Sequence, residues 1–292
     1  MQVQVRTVNA FVEAGQGGNP AGVVVEADGL EAGQKLAIAA RMGLSETAFV
    51  SRSDSAAFKL EFFTPTRQIA HCGHATVATF SLLRQLGRVG EGWSSKETLD
   101  GRRDILLVGD SAFMEQRAPR YTELAAEPQV LAELLAALDI APEQLAPDLL
   151  PTQVDTGGAF ILVPLRGETD VAGLRPDQAR LERLSERLDL IGFYAFSTAT
   201  RVPGRAAGAR MFAPRYGIAE ESATGMAAGP LACFLYTRMG HREPNMAIEQ
   251  GYLMQPPSPS LIQVELDVQA GQIQRLMAGG QARVMDEQTL DL

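Results

Sequence analysis

Residues 68–87, QIAHCGHATVATFSLLRQLG, set a thiol, two imidazoles and a glycine in front of an apolar helical pattern that stops at Gly87. Two readings compete for this stretch. Cys72 could be a reactive thiol with a histidine partner, or the stretch could open a buried helix that tolerates small polar residues at its start. A second stretch 150 residues later bears on the choice: ATGMAAGPLACFLYTRMG, 223–240, again has a small polar turn with a glycine, then a helical pattern that ends at a glycine. The first turn of a helix offers unpaired N–H donors and the positive end of the helix dipole, and glycine lets a ligand approach the backbone. Taken as a pair, the turns Cys72-Gly73-His74-Ala75-Thr76 and Ala223-Thr224-Gly225-Met226-Ala227 are expected to face each other across a cleft and to hold a carboxylate.

The two stretches belong to a longer repeat. In the first half, 2–11 and 20–26 read as strands joined by the turn-rich EAGQGGNPAG, and GLEAGQKLAIAARMG (29–43) has helical apolar spacing before a terminal glycine. ETAFVSR (46–52) and AAFKLEFFTP (56–65) read as strands before the helix that ends at Gly87. The second half repeats the order with a strand GGAFILVPL (157–165), a helix RPDQARLERLSERLDL (175–190), a strand GFYAFST (192–198), another strand ending at Pro214, and the helix that ends at Gly240. Landmarks recur at slowly growing offsets: 147 from Phe49 to Phe196, 149 from Pro65 to Pro214, 152 from Gly73 to Gly225 and 153 from Gly87 to Gly240. This period is far longer than a solenoid repeat and indicates a duplicated domain. The segment from about 116 to 150, with QVLAELLAALDIAPEQL as an amphipathic helix, is expected to join the halves, and the strand-like tail LIQVELDVQAGQIQRLMAGGQARVM (261–285) closes the chain.

Composition sets the frame. The 292 residues, 46% hydrophobic and 21% charged, are enough for one large or two ordinary domains of the globular kind. A net charge of -9 weighs against nucleic acid or an anionic membrane as partner. Neither a signal segment nor a membrane span is visible, and two cysteines cannot build a disulfide framework, so a cytoplasmic location is expected. The three histidines and two cysteines have no paired ligand spacing, so no metal is expected.

VNAFVEAGQGGNPAGVVV, LSETAFV, FFTPTRQIAHCGHAT and RMFAPRYGIAEESATGMAAGPLA, in this order over about residues 3–240, resemble the PhzF family, named for a phenazine-biosynthesis isomerase, within the diaminopimelate-epimerase-like fold. The resemblance implies an α+β protein of two pseudo-symmetric domains, each a barrel-like, mostly antiparallel sheet around a central helix. The expected division is 1–117 and 118–292, with the last strand free to return to the first domain. It also implies an active site between the domains, proton transfer without a cofactor on a small carboxylate-bearing substrate, and a homodimer.

In epimerases of this fold two cysteines at the two helix starts work on opposite faces of one carbon. Cys72 holds the first position, but Thr224 holds the second, and Cys233 lies nine residues on, inside the helix pattern, as a small core hydrophobe. The family pattern points instead to the glutamate of SETAFV, Glu46. A carboxylate in an apolar cleft has its charge disfavoured and can take a proton from carbon and return it. His74 at the first helix start would hydrogen-bond substrate or Glu46, and Glu221 would complete the catalytic set. Asn19, Cys72, Gly73, Thr224, Gly225 and Met226 are the expected substrate contacts, with Thr224 and Gly225 supplying backbone donors.

The chain also departs from the family. The second motif usually reads Glu-Asp-Pro-Ala-Thr-Gly-Ser and here reads Glu220-Glu221-Ser222-Ala223-Thr224-Gly225-Met226; an acid often found before the first helix is Gln68. Met226 cannot donate the hydrogen bond of the serine it replaces, so the substrate is expected to differ from the phenazine one. An epimerase built on Cys72 and a silent small-molecule-binding homologue are the alternatives.

Overall fold

A computed structural model describes residues 1–292. The chain divides into two compact units, Met1–Glu115 with Gly279–Leu292, and Gln116–Ala278. No helix is long and apolar enough to cross a membrane.

The first unit opens with β1 (Gln2–Ala10) and β2 (Asn19–Val24), an antiparallel pair. Helix α1 (Ala32–Met42) follows and ends at Gly43, whose left-handed φ of 63° closes the last turn at no steric cost. It leads to β3 (Thr47–Ser51), parallel to β2. Then come β4 (Phe58–Phe63) and the short β5 (Gln68–Ile69), antiparallel in turn. Helix α2 (Gly73–Gln85) is the centre of this unit. It buries every residue from His74 to Leu83 and packs against β1, β2, β3 and β7 (Gly101–Val108). A helix apolar all round belongs inside a protein, and the β-sheet wraps it. β6 (Gly92–Thr98) pairs parallel with β4 and antiparallel with β7, which pairs with β8 (Ser111–Arg117).

The second unit repeats this order. β9 (Arg120–Glu123) and helix α3 (Pro128–Leu138) precede the antiparallel pair β10 (Thr152–Asp155) and β11 (Ala159–Pro164). Helices α4 (Glu168–Ala172) and α5 (Gln178–Leu188) lead to β12 (Gly192–Ser197), parallel to β11. β13 (Ala207–Ala213) and β14 (Ile218–Glu221) are antiparallel in turn. Helix α6 (Gly225–Arg238), buried from Ala227 to Leu235, packs on β10, β11 and β16 (Ser260–Gln269). β15 (Asn245–Gln250) is parallel to β13 and antiparallel to β16. The long β17 (Gln272–Asp291) ends the chain, and its pairing with β1 accounts for the return of the last residues to the first unit.

The duplication is visible in the topology. Phe49 and Phe196 lie in β3 and β12, Pro65 and Pro214 sit in the turns after β4 and β13, and Gly73 and Gly225 are the first residues of α2 and α6. One expectation needs correcting. The amphipathic helix at 129–138 does not join the halves but belongs to the second unit. Val130, Leu134, Leu135 and Leu138 of α3 bury against Leu181 and Leu184 of α5. An apolar stripe of that width is satisfied by a core and not by a solvated linker, and β9 beside it is held by pairing with β10.

Candidate active site

In the first unit the parallel step from β2 to β3 places Glu46. Gly22 N–H donates to the Glu46 carbonyl at 3.0 Å, and a side chain at position 22 would collide with Thr47 Oγ1, 2.6 Å from where its Cβ would stand. Glu46 is therefore pinned as the residue that enters β3, with its side chain buried. The turn after β5 brings Cys72 to the N-cap of α2 in extended conformation, and His74 into its first turn.

These three side chains meet. His74 Nε2 lies 3.4 Å from Glu46 Oε2, and His74 Nδ1 lies 3.5 Å from Cys72 Sγ. Burial first, and the Glu46 carboxylate second, push the Cys72 thiol above its usual pKa, with His74 acting the other way. Desolvation here outweighs the donors of the first turn and opposes a thiolate at this helix start. A protonated thiol beside Nδ1 favours the imidazole tautomer that carries its hydrogen on Nε2, toward Glu46. The three side chains offer one sulfur, one nitrogen and one oxygen within 4.8 Å of each other. The imidazole, however, uses opposite ring atoms for its two neighbours, and an ion could take one nitrogen only by abandoning the other contact. The arrangement suits a proton relay better than a metal centre.

Asn19 is buried at the start of β2, opposite Ala10 of β1. Gly73 follows the N-cap as the first residue of α2, so its amide is one of the first-turn donors.

In the second unit the corresponding turn has a different chemistry. Thr224 is the N-cap of α6, and its hydroxyl donates to Glu221 Oε2 at 2.5 Å. Gln250, at the end of β15 and fully buried, holds the turn. Its Oε1 accepts from the Tyr194 hydroxyl at 2.8 Å and from Thr224 N–H at 3.0 Å. Its Nε2 donates to the Glu221 carbonyl at 2.7 Å and to Thr224 Oγ1 at 3.2 Å. Both acceptor positions and both donor hydrogens of the amide are used. Burial, and then the Glu221 charge, raise the Tyr194 pKa and keep its phenol protonated as a donor. The expected backbone donor at Thr224 is therefore corrected: its amide is committed to Gln250, which leaves Gly225 and Met226 at the head of α6 as donors. Met226 is half-buried, and its Cε stands 3.3 Å from the position of a Cβ at Gly158, in the turn from β10 to β11. Cys233 lies inside α6, with burial pushing its thiol up to about 12, so it is the core residue that was expected.

Tyr194, Gln250 and Lys96 were not singled out by sequence. Tyr194 and Gln250 lie in strands with no local motif, and Lys96 sits in GWSSKET, which resembles an exposed strand. Only the fold brings them to the helix starts.

Residues 8–288 match the model of the family described as PhzC-PhzF, phenazine biosynthesis-like protein. The chain belongs to this family. It is 34% identical over 241 residues to the uncharacterized isomerase YddE of Escherichia coli O157:H7, covering 80% of each chain. It is 30% identical over 281 residues to the trans-2,3-dihydro-3-hydroxyanthranilate isomerase of Pseudomonas chlororaphis, covering 94% of each. Among solved structures, the PhzF-family protein of Bacillus anthracis superposes with a TM-score of 0.88 at 24% identity over 100% of both chains, which is a likeness of fold. Within the PhzC-PhzF family, then, this chain keeps a glutamate, a histidine and a cysteine in contact at one helix start and builds the other around Gln250.

Proposed function

We propose that this protein is an isomerase that moves a proton within a small carboxylate-bearing substrate, with Glu46 as the acid/base. The observation that carries the reading is the buried contact of Glu46 with His74, itself backed by Cys72. Glu46 takes a proton from a carbon acidified by a neighbouring carbonyl or double bond, the electron pair moves along the substrate, and the same carboxylate returns the proton at the new position. His74 donates from Nε2 and steadies the negative charge that shuttles between Glu46 and substrate. One base acting on one face gives isomerisation, whereas racemisation needs a second base on the opposite face. The second helix start has Thr224 in place of a second thiol, and a hydroxyl is far too weak a base. That difference argues against the Cys72-based epimerase.

The family's isomerase names and the 30% identity to the Pseudomonas enzyme support the reaction class. The test is proton exchange. Incubation in deuterium oxide with a panel of α-amino and α,β-unsaturated carboxylic acids, read by mass spectrometry and chiral chromatography, should give label incorporation with a shifted double bond. Incorporation with racemisation would favour the epimerase, and the absence of any exchange would favour a silent binding protein.

A specificity prediction follows from the second helix start. Met226 presents a methyl group where the family has a hydroxyl, and the Glu221 carboxylate is engaged by Thr224. A site built to hydrogen-bond a substrate group discriminates strongly by that group, because a buried unpaired partner is costly. Turnover of trans-2,3-dihydro-3-hydroxyanthranilate should be slow, and should appear or rise in the Glu221→Asp/Met226→Ser double variant. Brisk turnover by the native protein would refute this.

A further inference from the structure

Two lysines are buried in the first unit, and they are partnered differently. Lys35 of α1 forms an ion pair with Glu61 of β4. Lys96 of β6 is wholly buried, and the contacts of its Nζ are not with a carboxylate. Its Nζ donates to Thr76 Oγ1 at 2.6 Å, faces His71 Nδ1 at 3.3 Å and Met114 Sδ at 3.9 Å, and stands 5.2 Å from the centre of the Phe62 ring. Burying an ammonium without a counter-ion is expensive. Here the direct contacts are neutral acceptors and a ring face, and two of those acceptors belong to the head of α2. Thr76 passes the contact on, since its hydroxyl donates to the Cys72 carbonyl at 2.6 Å. Lys96 thus grips the turn on both sides of Cys72, Gly73 and His74.

We propose that Lys96 is a positioning residue for the proton-transfer site, its Nζ fixing the His71–Thr76 turn that presents His74 to Glu46. This rests on the reading of Glu46 and His74 given above. The carboxylate of Glu46 needs a donor at a fixed place, and His74 is held there by a turn whose flanking side chains, His71 and Thr76, both meet one amine. His71, which no step of the proposed reaction uses, serves as an acceptor in this brace.

The brace is sensitive to protonation. Burial above all lowers the Lys96 pKa from 10.5 to about 7, so the amine changes charge in the neutral range. The titratable groups that face it are His71 and Cys72 at the head of α2, Asp100 in the turn between β6 and β7, and Arg103 on β7. Burial, then the charges of Lys96 and Arg103, hold His71 well below its usual pKa, so it remains a neutral acceptor while Lys96 titrates. Below about pH 7 the ammonium donates to both partners; above it the neutral amine has one hydrogen fewer and no charge, and the grip loosens.

The chain has only three histidines, so the imidazole nitrogens can be followed individually by heteronuclear NMR in a pH titration of the whole 15N-labelled protein without substrate. In the native protein the signals of His71 and His74 should both inflect near pH 7 while His71 keeps the pattern of a neutral ring. In Lys96→Met that inflection should vanish from both. In Thr76→Val, which keeps the lysine and nearly the shape of the threonine, His71 should still inflect while the response of His74 is weakened or lost. Imidazole signals in a folded Lys96→Met or Thr76→Val protein that titrate as in the native protein would overturn the proposal. Because no substrate is present, this result is separate from the deuterium exchange that tests the function. Exchange that survives removal of the Glu46 carboxylate would refute the functional reading whatever the histidines report.

Discussion

Replacing Glu46 by glutamine is expected to slow proton exchange into the substrate by roughly 10²–10⁴-fold, the range typical for loss of a general acid/base. The amide keeps the size of the side chain and an oxygen to set beside His74, so the fold should be retained; what disappears is the capacity to accept a proton from carbon. The expected split is a fall in kcat with little change in KM, since the carboxylate does its work in the transition state and not in holding the ground state. Cys72→Ala gives the informative contrast. In the proposed reaction the thiol only fixes the tautomer of His74, so its loss should be much milder than that of Glu46. In a thiol-based epimerase the order reverses. Measuring both variants by deuterium wash-in on the same substrate decides between them, and a Glu46→Gln protein with native exchange rates would remove Glu46 from the mechanism.

The legibility of this protein in its sequence follows the length scale of the interactions. The duplication was readable because glycine, proline and phenylalanine mark fixed events, the end of a helix or the exit from a strand, and the same events recur in both halves. Glu46, Cys72 and His74 were readable from local motifs and family resemblance, and the fold brings the other two side chains to within 3.5 Å of the His74 ring nitrogens. The partners of the second helix start were not. Gln250 meets Thr224 from 26 positions away, and Tyr194 meets Gln250 from 56, distances over which no periodicity carries information. Lys96 is a harder case, because a lone lysine in a polar strand normally faces water, and only the closure of the sheet around α2 turns it inward. Helix α3 was placed wrongly for a related reason: amphipathic periodicity tells that a face is buried, but not in which core.

The second large effect is expected at Arg210, and it is one of stability. This side chain is almost fully buried on β13, and its guanidinium makes a two-pronged pair with Glu220, Nε to Oε1 and Nη2 to Oε2, each at 2.8 Å. Nη1 donates to the carbonyls of Val171 and Leu174, each at 3.2 Å, where α4 ends, and the group lies 5.1 Å from the centre of the Phe212 ring. Arg210→Met would leave the Glu220 carboxylate poorly solvated and the carbonyls at the end of α4 without their donor. Removing one partner of a buried pair typically costs about 3–5 kcal/mol, and a loss of that size should appear in denaturant unfolding of the whole protein. Arg210→Met/Glu220→Met should recover much of it, because the harm comes from the stranded charge more than from the absence of the pair. The effect should also reach the chemistry. Glu220 anchors β14, whose last residue is Glu221, and Glu221 accepts from Thr224 at the head of α6. A destabilisation below about 1 kcal/mol would put the pair in the class of screened surface bridges and remove Arg210 as the brace of this turn.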